Sequence, residues 1–330
     1  MKARKVKRQT MEMISQHVDV EDLFVTQTVE QSDQSLDEII ERRYPLLFSG
    51  GGDGTAMRVM EQIRNKVERH NKNGGNYKVP RFGLLKLGTG NGWAGLLEVP
   101  PRAEPIWAIR RVRKTDELKF ATFNMIESEG RLFHFGGFGV DAQILNDYID
   151  LKNRYTRGFM WKIANSLAGY LMAILFKTLP GIMMRGFSID AKIVNESDEP
   201  VYRASNSEGV VETPIKKGEV IYEGPTRIAG FATTCNYGFD LQMYPFAIKK
   251  PGYMQLRICA SKISTILRNV VPIWTGKWEH PLLQDFLVKD VSVQIKGDAP
   301  FQLGGDPEGY RNAGRFRVSD FTVEVLDFRN

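Results

Sequence analysis

The chain has 330 residues, of which 42% are hydrophobic and 25% charged, with a formal net charge of +6. This apolar content excludes global disorder, and the length suffices for two compact domains. The modest positive balance suits anionic partners such as phosphates or lipid headgroups, but no nucleic-acid-binding module is recognisable, so a nucleic-acid partner is not expected.

Residues Met1 to Gln16 read as a helix with a basic start: Lys2, Arg4, Lys5, Lys7 and Arg8. Such a run is either a solvated helix face or a patch for a membrane surface. No apolar signal-peptide core follows it. Asp22-Leu23-Phe24-Val25-Thr26 reads as a strand, and Ser35 to Ile40 as the capped start of a helix. Leu46-Leu47-Phe48 is short and preceded by Pro45, so it reads as a buried strand. It stops at Gly50-Gly51-Gly52-Asp53-Gly54-Thr55. Glycines let a backbone turn sharply and approach a ligand closely, and their N–H groups at a helix start can face phosphate oxygens. A carboxylate there suits Mg²⁺ held jointly with phosphates and water. No Gly-Lys-Ser/Thr closes a Walker A loop, and the spacing is wrong for a dinucleotide fingerprint. The plainer alternative is a strand-to-helix turn with a capping Asp.

A second unit of the same kind follows. Arg81 to Leu87 reads as a strand running into Gly88-Thr89-Gly90-Asn91-Gly92-Trp93-Ala94, with a short helix starting at Ala94. Two strand–glycine loop–helix units predict a parallel sheet whose loops gather at the carboxyl ends of its strands, where ligands bind. Arg110-Arg111-Val112-Arg113-Lys114 is the expected crossover, so the α/β part runs to about Arg113. Phe159 to Phe176 is strongly apolar, flanked by Arg157 and Lys177 and ended by Pro180-Gly181. Lys162, Asn165 and Ser166 interrupt it, leaving too short a clean stretch to span a bilayer. It is expected to touch a membrane surface or line an acyl pocket, or else to be an ordinary core helix. Beyond it, Phe187 to Ile193, Val291 to Ile295 and Phe321 to Val325 alternate with period two, which predicts half-buried antiparallel strands. The polar stretch from Asn195 to Pro225 reads as hairpin and loop. The only two cysteines, Cys235 and Cys259, lack metal spacing and are expected as free thiols. Internal repeats and low-complexity tracts are absent.

GGGDGT and LGTGN together resemble the diacylglycerol kinase catalytic domain, shared by sphingosine kinases, ceramide kinases and bacterial lipid kinases. Further segments are similar in the right order: Phe135 to Ala142 to the family's GxGxDA, Tyr237-Gly238 with Tyr244-Pro245 to YGGG…P, Gly276 to His280 to a Gly-x-His stretch, and Gly305-Asp306-Pro307-Glu308 to DGE. The resemblance implies an α/β N-terminal domain with a parallel sheet, NAD kinase/diacylglycerol kinase-like, followed by a β-rich antiparallel sandwich domain. The expected boundaries are 1–113 for nucleotide and 114–330 for lipid substrate, the last strand returning to the first domain. It implies transfer of the ATP γ-phosphate, with Mg²⁺, to the hydroxyl of a diacylglycerol, sphingoid base or ceramide. Asp306 is then the general base and Asp53 a catalytic residue holding Mg²⁺. Gly51, Gly52, Gly54, Thr55, Gly88, Thr89, Asn91 and Glu308 would contact nucleotide, and Asp141 the substrate. The glycine turns and the acidic corner near the C-terminus are expected to share one crevice. The implied setting is cytoplasmic, peripheral to a membrane carrying the lipid, with a homodimer as one form of assembly.

The sequence also departs from the family pattern. Gly92 replaces the usual Asp after GTGN, Lys86 the usual Pro before LGTGN, and Pro307 the middle glycine of DGE. Pro251-Gly252 stands where many bacterial members carry Asp-Gly, so a second, structural Mg²⁺ is not expected. The family's opening strand and NPxSG loop are missing, and an in-frame upstream segment encoding them is expected. These departures keep a non-catalytic lipid- or nucleotide-binding relative as the alternative. A soluble NAD kinase-like enzyme shares GGDGT, but LGTGN, the apolar helix and the DGE-like end argue against it.

Overall fold

The computed structural model describes residues 8–88, 91–100, 108–109, 112, 117–155, 157–164, 167–238 and 240–329. Lys2 to Lys7, Thr89, Gly90, Arg110, Arg111, Arg113, Lys114, Asn165 and Ser166, which carry expectations above, lie outside the described residues. The chain divides into two compact units, Met1–Phe123 with Thr322–Asn330, and Asn124–Phe321.

The first unit is α/β. Helices α1 (Arg8–Ser15) and α2 (Val29–Glu41) precede β1 (Leu46–Gly51), α3 (Asp53–Lys72), β2 (Arg81–Lys86) and α4 (Gly92–Leu96). Strands β1 and β2 pair in parallel, from Leu46 opposite Arg81 to Gly51 opposite Lys86. The returning end of the chain adds a parallel neighbour on the other side of β2, with Val325 opposite Phe82. Strand β2 is therefore central, and Phe82 to Leu85 are buried. Strand β1 pairs on one side only among the described residues. That edge position explains why it is half-buried, not buried as its composition predicts. Met60 and Ile63 of α3, with Trp93 and Leu97, fill the core below.

Two expectations for the first fifty residues are corrected. Asp22 to Thr26 is not a strand: Val20–Asp22 forms a single 3₁₀ turn, and Leu23 is extended without a ladder partner among the described residues. The carboxylate of Asp22 accepts instead from the Tyr44 hydroxyl. Helix α2 starts at Val29, well before Ser35, because Thr28 caps it by accepting from the Gln31 N–H at 3.2 Å. Ser35 lies mid-helix and donates back to the Gln31 carbonyl.

The second unit is antiparallel and β-rich. Strand β3 (Phe120–Ser128) enters it and pairs with β4 (Arg131–Phe133). Strand β5 (Phe135–Gly139) leads into α5 (Val140–Arg154), α6 (Gly158–Ala164), α7 (Leu167–Ala173) and α8 (Leu179–Arg185). The remaining strands are β6 (Ile189–Asn195), β7 (Tyr202–Ser205), β8 (Gly209–Glu212), β9 (Val220–Thr226), β10 (Ile228–Ala232), β11 (Met254–Cys259), β12 (Leu283–Val288), β13 (Asp290–Leu303) and β14 (Asp306–Leu326). Helices α9 (Ile263–Arg268) and α10 (Val270–Trp274) separate β11 from β12. One run of strands is β5, β10, β11, β12, β7, β8. Strand β13 joins it to a second layer: its first half pairs with β6, and its last residues, Phe301 to Leu303, pair with β5. The core packs inward-facing residues of both layers together, among them Ala191 and Ile193 with Phe231, Leu256 and Phe286. Cys235 and Cys259 are buried free thiols, as expected.

The apolar segment folds as helices, but Pro180 does not end it. Proline has no N–H to donate into the preceding turn and its ring crowds the backbone there. The chain widens to a π turn over Ile174–Thr178, where the Leu179 N–H reaches back to Ile174, and α8 then continues through Pro180 to Arg185. Leu175 and Phe176 on this turn are exposed, Phe176 at 76%. Among the described residues, no helix is long and apolar enough to cross a membrane.

Candidate active site

In the first unit, the two glycine loops are built against each other. Gly88 lies so close to the first loop that a Cβ there would come within 2.3 Å of the Gly52 Cα. Close approach of backbone to backbone is thus one reason this position must be glycine. Asn91 takes a left-handed backbone with φ of 47°. Its side chain closes the second loop on itself, accepting from the Gly88 N–H and donating to the Gly88 carbonyl, both at 3.0 Å. Asp53, first residue of α3, crosses to the start of α4. One oxygen accepts from the Gly92 N–H at 2.8 Å and the other from the Trp93 N–H at 3.3 Å. These are orphan donors of a helix start, which favour a carboxylate. Burial pushes the Asp53 carboxyl up, and the two N–H groups pull it back. Trp93, so held, packs edge-on to Phe123 at 5.1 Å.

The residues expected in this region are thereby located. Gly51 ends β1, Gly52 is the cap position of α3, Gly54 lies in the first turn of α3, and Gly88 opens the second loop after β2. Thr55 is exposed and does not cap α3, whose cap position is Gly52. Thr89 lies outside the described residues. For a resident metal, the donor set does not fit: Asp53 directs both oxygens at backbone N–H groups, and among the described residues no group of three His, Cys, Asp or Glu side chains is arranged for an ion. A Mg²⁺ that travels with a nucleotide triphosphate belongs to the substrate.

In the second unit, the turn from β5 into α5 sets up a different carboxylate. Gly139 has a φ of +135°, and a Cβ there would sit 2.2 Å from the Arg227 carbonyl oxygen. Strand β5 thus ends at Gly139, and Asp141 sits in the first turn of a helix, only 6% exposed. Its Oδ2 accepts from the Tyr237 hydroxyl and from Gln302 Nε2, each at 3.2 Å. Its Oδ1 is buried with no hydrogen-bond partner among the described residues. Burial pushes the Asp141 carboxyl above the usual carboxylate range, while the Ala142 N–H, Gln302 and Tyr237 oppose this. The Tyr237 phenol is raised well above its ordinary value, chiefly by burial and then by the Asp141 charge.

Gln302 extends this cluster toward the acidic corner. Its Oε1 accepts from the Gly305 N–H at 3.0 Å, next to Asp306 at the start of β14. The hairpin turns on Gly304 and Gly305, with φ of 57° and 82°, so the left-handed positions fall before Asp306 and Pro307 is free to occupy the strand. Asp306 is half-buried. Glu308 pairs with Arg131 at 3.5 Å and Arg311 at 3.8 Å. Sequence reasoning missed Gln302 as a site residue. Its signal was a lone amide between Phe301 and Leu303, just before two turn glycines. Tyr237 was noticed as part of a motif but not as a donor to Asp141.

With this geometry in place, the chain can be set beside known proteins. Residues 1–125 match the diacylglycerol kinase catalytic domain. That is the family read from GGGDGT and LGTGN, and the stretch holds both loops and the Asp53 bridge. The curated proteins yield no significant match. Among solved structures, the chain is similar to a diacylglycerol kinase from Bacillus anthracis strain Sterne, at 12% identity and a TM-score of 0.54, covering 92% of this chain and 83% of that one. It is also similar to a Bacillus anthracis protein provisionally named a diacylglycerol kinase, at 14% identity and a TM-score of 0.58, covering 92% and 82%. An NAD kinase from Archaeoglobus fulgidus in complex with ATP is more distant, at 12% identity and a TM-score of 0.44, covering 98% and 91%. At these identities the first two likenesses establish the fold: an α/β domain with parallel strands, then an antiparallel β-rich region, as in the diacylglycerol kinase family.

Proposed function

We propose that the chain is an ATP-dependent lipid kinase, transferring the γ-phosphate to the hydroxyl of a diacylglycerol, sphingoid base, ceramide or similar lipid alcohol. The observation that carries this reading is the Asp53 bridge. It fixes two glycine loops at the carboxyl ends of neighbouring parallel strands, within the stretch that matches the diacylglycerol kinase catalytic domain. Phosphoryl transfer asks mainly for positioning and charge neutralisation. In this reading the N–H groups of Gly51, Gly52, Gly54 and Gly88, with Thr55, Thr89 and Asn91, handle the triphosphate. Mg²⁺ would arrive with ATP as part of the substrate, and Asp53 would hold together the two loops that receive it.

In the second unit, Asp141 receives the lipid headgroup. Its buried Oδ1 lacks a hydrogen-bond partner among the described residues, and a substrate O–H or N–H donor supplies one. Asp306 is the general base. The lipid oxygen attacks Pγ as its proton passes to Asp306, the bond from Pγ to the bridging oxygen breaks, and ADP leaves with that electron pair. Glu308 supports the turn through Arg131 and Arg311, and is the second carboxylate assigned to nucleotide. The exposed Leu175 and Phe176 suit a protein working peripherally at a membrane, in the cytoplasm.

One observation favours a second reading, a non-catalytic lipid- or nucleotide-binding relative. The carboxylate expected to hold metal is already engaged by backbone. Incubating the protein with labelled ATP and a panel of lipid alcohols separates the two. Labelled lipid supports the kinase. Lipid binding without labelled product supports the relative.

A further inference from the structure

Helices α9 and α10 carry an apolar face that the fold does not cover. Ile263 and Ile266 anchor α9, packing with Trp278 on a buried cluster that includes Val140, Ile182, Ile228 and Cys259. On the outward side, Leu267 near the end of α9 and Val270 and Val271 at the start of α10 are exposed, Val271 at 74%. Within the segment itself, up to Glu279, the charge has one sign. From Ser261 to Trp278 there is no Asp or Glu, while Lys262, Arg268 and Lys277 are exposed. None of the three cations forms an ion pair among the described residues. The exposed apolar turn at Leu175 and Phe176 differs here. Its neighbouring Lys177 is held by Asp147 at 3.1 Å and Asp150 at 2.6 Å, so that surface is locally neutralised.

We propose that α9–α10 is a docking face for a bilayer containing anionic lipid. Apolar side chains on a short helix, rimmed by cations, sink into the boundary of headgroup and acyl chain while the cations meet lipid phosphates. Helix α9 has six residues and α10 five, about 9 Å and 8 Å of helix, which lie along a membrane and cannot span it. Asn269, at a φ of −112°, breaks the helix so that two short rods follow the surface. The purpose of docking, access to a lipid substrate, rests on the lipid-kinase reading. Its physical basis does not.

The test is co-sedimentation of the full chain with vesicles of phosphatidylcholine alone or mixed with phosphatidylglycerol. Alongside it run sedimentation velocity and phosphorylation of a short-chain lipid in detergent micelles. The wild type should bind the anionic vesicles, ever more weakly as salt rises, and the neutral ones little. Val271→Glu should weaken binding about tenfold, and the triple variant Lys262→Glu, Arg268→Glu, Lys277→Glu roughly a hundredfold. Neither should change micellar turnover, since none of these residues belongs to the catalytic or binding machinery. Unchanged vesicle binding in both variants overturns the proposal, as does a wild type that ignores anionic vesicles. So does a dimer that Val271→Glu dissociates, because a second copy then covers the face. Vesicle binding that depends on these residues, with no micellar turnover in any protein, upholds the docking face and removes the kinase reading instead.

Discussion

Asp53 and Asp141 both stand within two residues of a glycine that turns a strand into a helix, yet they are used differently. Asp53 gives its oxygens to the Gly92 and Trp93 N–H groups of a second loop. Asp141 gives one oxygen to Tyr237 and Gln302 and keeps the other buried without a hydrogen-bond partner among the described residues. A carboxylate whose bonds are filled by backbone is a brace. One that is desolvated and incompletely satisfied retains capacity for a ligand, because each unmade bond in a low-dielectric setting is costly. The same local motif thus produces an organiser in one unit and a candidate receiver in the other.

The sharpest way to break this contrast is to remove the brace. Asp53→Ala strands two N–H donors, at about 1–3 kcal/mol each, and lipid phosphorylation should drop at least roughly a hundredfold. Asp53→Asn keeps an acceptor and should fall between alanine and wild type in urea denaturation. Equal loss of activity in both variants with stability intact would mean that the charge, not the brace, is what the reaction uses.

Gln302→Ala comes next. It deprives Asp141 of a donor and leaves the Gly305 N–H beside Asp306 without its acceptor. The expected loss in kcat/KM is about ten- to a hundredfold, equivalent to roughly 1.4–2.7 kcal/mol, and the thermal midpoint should fall by a few degrees. An unchanged kcat/KM would disconnect the acidic corner from Asp141.

Asp141→Asn gives a smaller effect on stability with a definite sign. The folded state holds the Asp141 proton more tightly than the unfolded chain does. The contribution to stability is therefore full below a pH of about 3.8, the ordinary Asp value, and is lost as pH rises through the raised folded pKa. Relative to wild type, Asp141→Asn should be more stable at high pH than at low pH, while losing lipid turnover. A stability difference that does not vary with pH would contradict the desolvated state of this carboxylate.

The smallest effect concerns His134, buried beside Phe135, where burial lowers the imidazole to about 3. Its stability contribution is full above the ordinary value of 6.5 and is lost as pH falls toward 3, by at most about 1.4 kcal/mol per pH unit. In an NMR titration the His134 ring should stay neutral through mild acid. A midpoint near 6.5 would show that it is solvated.

Much of this architecture was legible in the sequence for physical reasons. Glycine clusters after short apolar runs announced β1 and β2 with their loops, and period-two alternation announced β6 and the opening of β13. What escaped depended on tertiary partners. Asp22 to Thr26 has strand composition but no ladder partner among the described residues. Thr28 outcompetes Ser35 as a cap through a single hydrogen bond. Pro180 is absorbed by a π turn, which no local pattern signals. Gln302 is one amide in the apolar end of β13, and its meaning appears only when β13 pairs with β5 beside Asp141.

The central claim is that this chain phosphorylates a lipid alcohol, with Asp306 taking the proton. Mass spectrometry of a lipid panel incubated with ATP and either the wild type or Asp306→Asn tests it most directly. The account predicts a phosphorylated lipid with the wild type and a product reduced at least about a hundredfold with the equally stable Asp306→Asn. Lipid and ATP binding by the wild type without any phosphorylated product, or equal product from both proteins, would contradict it.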